Sequence, residues 1–207
     1  MKATIVSAGL ASLCLAFGGM VPSACAESQA VQPEGRIIGQ WVTEPANVAD
    51  YLTAILLPAS AQCSQFEGYL QYTFTGGEAP TMQINGYGPV VHLERGHAGT
   101  RPSDHISFGL GISYMSAYSI SADGTILDFG VPSADVSSVT IDNLIVNDVE
   151  VMRESGDISM LGMSIPFSSS QMQFEFVGND QLKLTPIFPP APDGVSIEPR
   201  PLILRRK

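Results

Sequence analysis

The chain has 207 residues, with 10 basic and 20 acidic side chains and a formal net charge of −10 at pH 7. This acidic balance argues against a nucleic-acid groove and against binding to anionic membrane surfaces. Charged residues make up only 14% of the chain and apolar residues 44%, so the composition indicates a folded domain rather than a disordered acidic protein.

The first 26 residues have the pattern of a cleaved signal peptide. Lys2 precedes an apolar run over residues 5–21, and Ala24-Cys25-Ala26 provides a small-residue cleavage site. We therefore expect cleavage after Ala26 and a secreted or periplasmic protein. A lipid anchor at Cys25 is the alternative, although the preceding Pro-Ser is not the apolar pair that such sites usually carry. No later run is long and apolar enough to predict a transmembrane segment.

Cleavage leaves about 180 residues, enough for one domain with a sizeable core. Nine basic and 20 acidic side chains remain, a net charge of −11, and Cys63 is then the only cysteine. An intramolecular disulfide is therefore excluded, and Cys63 is expected to be a buried structural thiol. We expect a flexible leader over 27–35, a β-domain over 36–188 and a proline-rich, disordered tail over 189–207.

The first predicted elements are a strand over Arg36–Thr43 and a helix over Asn47–Leu57. Apolar residues within the helix recur with the spacing of one helical face, and Pro58 provides a stop. From Phe66 onwards the period changes to two, which is typical of antiparallel strands with one buried and one solvated face.

Four turn sequences predict β-hairpins: Gly76-Gly77, Asp123-Gly124, Asn147-Asp148 and Gly178-Asn179-Asp180. A long β-prone segment over 105–122 is expected to bend at Gly109 and Gly111. A series of hairpins with one early helix predicts a mainly β protein, either an antiparallel barrel or a sandwich.

Gly39-Gln40-Trp41 contains the only tryptophan of the chain and lies in the first predicted strand. Together with the closing hairpin over Phe174–Leu184, this Gly-x-Trp resembles the lipocalins and their calycin relatives. The resemblance implies that Gly39 allows close packing and that Trp41 plugs the closed end of a barrel, where an arginine often stacks on it. Arg200 and Arg153 are the candidates for this arginine.

Two features depart from the lipocalin pattern. The helix follows the first strand, as in the lid of the intracellular fatty-acid-binding barrels, whereas lipocalins usually place their main helix after the last strand. The second and third lipocalin motifs are not recognisable. We therefore predict a single antiparallel, calycin-like β-barrel with one short helix after the first strand, and keep a β-sandwich as the alternative.

Aromatic and methionine side chains on the predicted strands suit the lining of a cavity for an apolar ligand. The candidate ligand-binding residues are Trp41, Tyr72, Phe74, Tyr114, Met115, Met172 and Phe174. The same residues are equally compatible with a filled core.

The three histidines lie close together in the sequence, and the candidate metal ligands are His92, Glu94, His97 and His105. His92 and Glu94 at positions i and i+2 of a strand point to the same side, a workable geometry for two ligands. Their spacing matches no established zinc pattern, and solvent-facing loop residues are the simpler interpretation.

The sequence carries no complete catalytic constellation: it has no Gly-x-Ser-x-Gly elbow, phosphate-binding glycine loop or His-Glu-x-x-His helix. Whether the chain is an enzyme is not established, and these absences favour a binding protein. We predict a secreted or periplasmic, monomeric, lipocalin-like protein that binds a small apolar ligand without a cofactor. The alternatives are a β-sandwich acting in envelope or surface interactions, and a metal-dependent barrel that uses the region from His92 to His105.

Overall fold

A computed structural model describes residues 33–56, 60–97, 102–133, 137–157, 171–188 and 198–207. The predicted signal peptide and Cys25 lie outside these residues. The elements in chain order are α1 (Pro33–Ile37), β1 (Gly39–Thr43), α2 (Pro45–Leu56), β2 (Ala61–Phe74), β3 (Thr81–Arg95), β4 (Asp104–Ile120), β5 (Ile126–Phe129), β6 (Ser138–Val146), β7 (Val149–Met152), β8 (Gly156–Asp157), β9 (Gln171–Val177), β10 (Gln181–Pro186) and β11 (Leu202–Arg206).

The eleven described strands belong to one sheet, and the strand pairs are antiparallel. Eight of the strands follow one another in a closed cycle, in the order β1, β2, β3, β4, β5, β9, β10 and β11, and β11 pairs again with β1. We call this cycle the ring. The prediction of a mainly β, antiparallel fold with a helix after the first strand is confirmed.

Strands β2, β3 and β4 are longer than the other ring strands and continue beyond them. Each carries a register shift, and the three shifts lie at neighbouring positions of the sheet. They fall between Glu67 and Tyr69 in β2, between Asn85 and Val90 in β3, and between Ser107 and Gly109 in β4. β4 pairs with β5 only through Tyr118–Ile120. Away from β5, β4 pairs with β6 from Ile106 to Ser113, and β6 in turn pairs with β7 and β8. We call this part of the sheet the extension. β4 is continuous from Asp104 to Ile120; its pairing with β6 has a register shift beside Gly109 and is regular at Gly111, the second position where a bend was predicted.

The last strand corrects the prediction of a disordered tail over 189–207. Residues Leu202–Arg206 form β11, which lies between β1 and β10 and closes the ring. Leu202 and Leu204 are fully buried, while the alternate residue Ile203 is only partly buried. The prediction of disorder was based on the prolines that precede this strand. It overlooked the short alternating segment Leu202–Arg206 that follows them.

The N-terminal boundary also differs from the prediction. Residues Pro33–Ile37 form α1 rather than the end of a flexible leader, and the first strand begins at Gly39 instead of Arg36. Ile37 is fully buried, which ties this short helix to the core.

Helix α2 covers an edge of the sheet that no described strand pairs with. Its inner face is buried through Val48, Tyr51 and Leu52, as the sequence periodicity predicted. The Thr53 hydroxyl accepts a hydrogen bond from the Cys63 N–H at 3.0 Å and donates to the Cys63 carbonyl at 3.3 Å. A single side chain therefore satisfies backbone groups that would otherwise need a neighbouring strand.

The predicted turns are confirmed by the strand registers. Asn147 and Asp148 have φ values of 49° and 64°, the left-handed conformation that a two-residue hairpin turn requires at both positions. In the β4–β5 turn, the Asp123 carboxylate accepts hydrogen bonds from the Ser121 hydroxyl and the Thr125 N–H. These local bonds lower the pKa of Asp123.

Candidate binding site

Six of the seven residues predicted to line a ligand cavity lie on the inner side of the ring: Trp41, Tyr72, Phe74, Tyr114, Met172 and Phe174. Five of them are at most 6% exposed, and Tyr114 is partly buried against the same core. Burial raises the pKa of the Tyr72 hydroxyl, and the nearby Tyr51 adds to this shift. None of the six lines any of the three clefts that are described below.

The seventh residue, Met115, lies on the opposite face of β4. It pairs with the exposed Gln83, whereas its neighbour Ser116 pairs with the fully buried Met82. Successive side chains of a strand point to opposite faces, so Tyr114 and Met115 cannot both face the interior. The structure therefore removes Met115 from the predicted cavity lining.

Trp41 lies under an arginine, as the lipocalin resemblance implied, but both arginine candidates were wrong. The guanidinium of Arg206 lies 4.4 Å from the centre of the Trp41 ring and donates hydrogen bonds to the carbonyls of Arg36 and Ile38. The Trp41 indole N–H donates to the Ile37 carbonyl at 2.8 Å. The sequence offered a signal for this arginine in the basic C-terminal residues Arg205-Arg206-Lys207, but these were assigned to a disordered tail.

A second arginine caps the neighbouring aromatic ring. The Arg36 guanidinium lies 4.2 Å from the centre of the Phe176 ring and donates to the Gly178 carbonyl at 2.7 Å. The rings of Phe176 and Trp41 are 6.2 Å apart. We call Arg36, Trp41, Phe176 and Arg206 the arginine-capped end.

Gly39 is required at this end by both its conformation and its surroundings. Its φ of +132° is one that residues with a side chain rarely adopt. A Cβ atom at this position would lie 3.3 Å from Arg206 Nη1. The glycine of Gly39-Gln40-Trp41 thus makes room for the arginine that covers the tryptophan.

A cleft of about 430 Å³ opens beside the arginine-capped end. Its lining carries no charged side chain, and Ile38, which contributes to it, is 40% exposed. The lining residues are Gly35, Ile38, Gly76, Gly77, Pro80, Tyr118, Ser119 and Ile120. We call this the Tyr118 cleft. The Tyr118 side chain lines it and also packs on the inner face of the closed cycle of strands. Sequence reasoning missed it because its wall comes from the ends of separate segments.

Of the histidines predicted as metal ligands, His92 and His105 lie on the extension and His97 lies just beyond the end of β3; the three pair with separate carboxylates. His97 Nε2 is 2.7 Å from Asp104 Oδ2, His105 Nδ1 is 4.0 Å from Glu94 Oε1, and His92 Nε2 is 3.5 Å from Glu67 Oε1. We call these three pairs the histidine face. Only the His97–Asp104 contact has hydrogen-bond geometry; the His92 Nε2 atom has no hydrogen-bond partner.

The four predicted metal ligands do not form a common ligand set. Among the described residues, no group of three or more His, Cys, Asp or Glu side chains is placed to hold a metal ion. Glu94 and His105 are brought opposite each other by the register of β3 and β4, while His97 lies beyond the end of β3.

A second cleft of about 580 Å³ lies on the outer side of the extension. Gly109 and Gly111 leave room there for the side chains of Asp142 and Thr140, which lie where their Cβ atoms would be. A smaller cleft of about 220 Å³ shares His92, Ser107 and Ile145 with it. A carboxylate in the wall distinguishes this surface from the uncharged Tyr118 cleft.

Cys63 is a buried thiol, as predicted for a structural cysteine. Its environment raises the pKa of the thiol to about 11, mainly because burial disfavours the thiolate. A high pKa disfavours the nucleophilic form that a catalytic cysteine needs.

Comparison of the chain with family models, curated proteins and solved structures gives no match. The lipocalin resemblance therefore depends on the residues themselves. In the described part of the chain, neither helix has the length and apolar character needed to span a membrane.

Proposed function

We propose that this protein is a secreted or periplasmic, lipocalin-like β-barrel that binds a small apolar ligand without catalysing a reaction. The observation that carries the proposal is the Tyr118 cleft, whose volume of about 430 Å³ and uncharged lining suit a small apolar molecule. We assign the ligand to this cleft and to the inner face of β4 behind it.

The arginine-capped end supports the assignment to a lipocalin-like barrel. A Gly-x-Trp in the first strand and an arginine over the indole are the two features that the resemblance implied, and they occur together here. The arginine comes from the last strand, so it links the two ends of the cycle of strands.

Titration with N-phenyl-1-naphthylamine, a neutral fluorescent probe, tests the proposal. We expect saturable fluorescence enhancement that a fatty alcohol reverses. Ile38→Asp should weaken binding at least tenfold, because it places a carboxylate in the wall of an uncharged cleft. Val131→Asp is the matched control, since Val131 is 91% exposed and lies outside the cleft.

Two results would contradict the proposal. Enhancement that does not saturate in the folded wild-type protein would indicate nonspecific adsorption rather than a site. Equal weakening by both aspartate substitutions would show that added negative charge, and not its position in the cleft, reduces probe binding. Analysis of lipid extracts from the purified protein gives an independent readout.

A further inference from the structure

Ser116 carries a buried hydroxyl group without a hydrogen-bond partner. The residue is 2% exposed and lies on the inner face of β4, opposite the fully buried Met82. Burying an unpaired hydroxyl costs free energy, because the group loses the hydrogen bonds that it makes with water in the unfolded chain.

The other buried polar side chains in the described core are satisfied. The Thr43 hydroxyl accepts a hydrogen bond from the Leu70 N–H at 2.9 Å, and Gln71 Oε1 accepts one from Lys207 Nζ at 2.9 Å. His92 Nε2 also lacks a partner, but the His92 side chain is 34% exposed. Ser116 is therefore the exception among the fully buried polar side chains of the described residues.

The position of Ser116 relates this hydroxyl to the Tyr118 cleft. Ser116 and Tyr118 lie on the same face of β4, about 7 Å apart along the strand. The Tyr118 ring lines the cleft and packs edge-on against Phe74, with ring centres 5.5 Å apart. Its hydroxyl donates to the Thr75 carbonyl at 2.9 Å.

We propose that Ser116 Oγ is the hydrogen-bonding anchor for the ligand, which is an uncharged, largely apolar molecule with one hydroxyl or carbonyl group. This inference rests on the proposed function and names the ligand class. The apolar body occupies the Tyr118 cleft and displaces the Tyr118 ring, and the polar group reaches Ser116.

The surroundings of Ser116 argue for a neutral ligand. The buried residues of the described core include no charged side chain, so a carboxylate or ammonium group would lose its hydration without compensation. A buried water at this position would need two to four polar partners, and the side chain of Met82, the residue opposite Ser116, offers none.

Calorimetric titration with p-cresol and toluene tests the anchor, because these probes differ by one hydroxyl group. In Ser116→Ala, we expect the affinity for p-cresol relative to toluene to fall about threefold to tenfold. Ser107→Ala, on the outer face of the same strand, is the control and should leave this ratio unchanged. Ser116→Ala without ligand should have an unchanged or higher Tm, since an unpaired hydroxyl is removed.

The outcomes separate the anchor from the proposed function. Binding of neither probe to the wild-type protein would argue against the cleft as a ligand site, and the anchor would fall with it. Binding of both probes with the same affinity ratio in wild type and Ser116→Ala would overturn the anchor alone. A clear loss of Tm in Ser116→Ala would show that the hydroxyl is satisfied within the protein, and would also overturn it.

Discussion

The arginine-capped end and the histidine face both bring nitrogen-bearing side chains close to their partners, but in different surroundings. Arg206 and Arg36 lie over the rings of Trp41 and Phe176 and donate to backbone carbonyls. Trp41 is fully buried, whereas the side chains of His105 and Glu67 are 72% and 52% exposed. Short distances occur in both regions and Arg206 is itself exposed, so it is the buried aromatic ring beneath the guanidinium that distinguishes the arginine-capped end.

The two regions also join different parts of the chain. Arg206 bonds to Arg36 and Ile38, which lie in the segment that leads into β1, and Arg36 bonds to the β9–β10 turn. The His92–Glu67 and His105–Glu94 pairs instead join neighbouring strands that are already held by a long antiparallel register, and His97, beyond the end of β3, pairs with Asp104 at the start of β4. We infer that the arginine-capped end contributes to closing the ring, while the histidine face adds little to a sheet that is already paired.

Trp41→Ala should have the largest effect on stability. We expect a loss of about 3–5 kcal/mol in the free energy of unfolding, because a fully buried aromatic side chain leaves a cavity beneath Arg206. Urea denaturation followed by far-UV circular dichroism measures this loss without the tryptophan signal. Val131→Ala should change stability by no more than about 0.5 kcal/mol, since its side chain is largely exposed.

Arg206→Ala should lower the free energy of unfolding by about 1–2 kcal/mol, through loss of the cation–π contact and two hydrogen bonds. The neighbouring Arg205 is the matched control, because its side chain forms an exposed ion pair with Glu44 and covers no aromatic ring of the described residues. We expect Arg205→Ala to cost less than about 1 kcal/mol. Equal losses in the two variants, measured by urea denaturation, would remove the distinction between the two kinds of contact.

The hairpins were predictable from sequence because their turns are decided by neighbouring residues. Asp123-Gly124 and Asn147-Asp148 supply the conformations and side-chain hydrogen bonds that their turns need. The helix after the first strand was predictable for a similar reason, since its buried face repeats at helical spacing. In each case the information lies within a few residues of the element that it specifies.

The closure of the ring was not predictable in the same way. β11 pairs with β1, from which it is separated by most of the chain, and the partner of an isolated strand is not encoded locally. The same distance hid the arginine that covers Trp41. The Tyr118 cleft was missed because its lining combines residues near 35, 76 and 118, although alternation along β4 already placed Ser116 on the same face as Tyr118.

The inner side of the extension, which carries the histidine face on its outer side, should be as inaccessible to reagents in solution as the arginine-capped end. Cys63 is buried, and its raised pKa of about 11 predicts slow labelling by iodoacetamide at pH 8, roughly 100-fold below an ordinary thiol. This raised pKa favours the folded state fully below the pKa of the unfolded thiol, and the benefit is lost as the pH rises to about 11. Labelling at the rate of the urea-unfolded protein would show that the inner side is open.

The smallest effect is expected at Asp104 on the histidine face. The pKa of this carboxyl group lies below its ordinary value, first because Asn147 Nδ2 donates to it at 2.8 Å and second because of His97. Asn147→Gly keeps a residue that tolerates the turn conformation and removes the amide. The pKa of Asp104 should therefore rise in this variant, by more than in His97→Ala, when side-chain carboxyl signals are titrated by NMR.

Asp123 provides the internal control for this titration. Its pKa is also lowered, but by Ser121 and Thr125 in the separate β4–β5 turn, so it should stay unchanged in Asn147→Gly. A lowered pKa contributes stability above the pKa of the unfolded carboxyl, and this contribution is lost as the pH falls through the folded value. In Asn147→Gly, the free energy of unfolding should consequently fall less steeply as the pH is lowered through about 4. A pKa shift at Asp123 of the same size as that at Asp104 would indicate a global change, and the assignment of the shift to Asn147 would then be wrong.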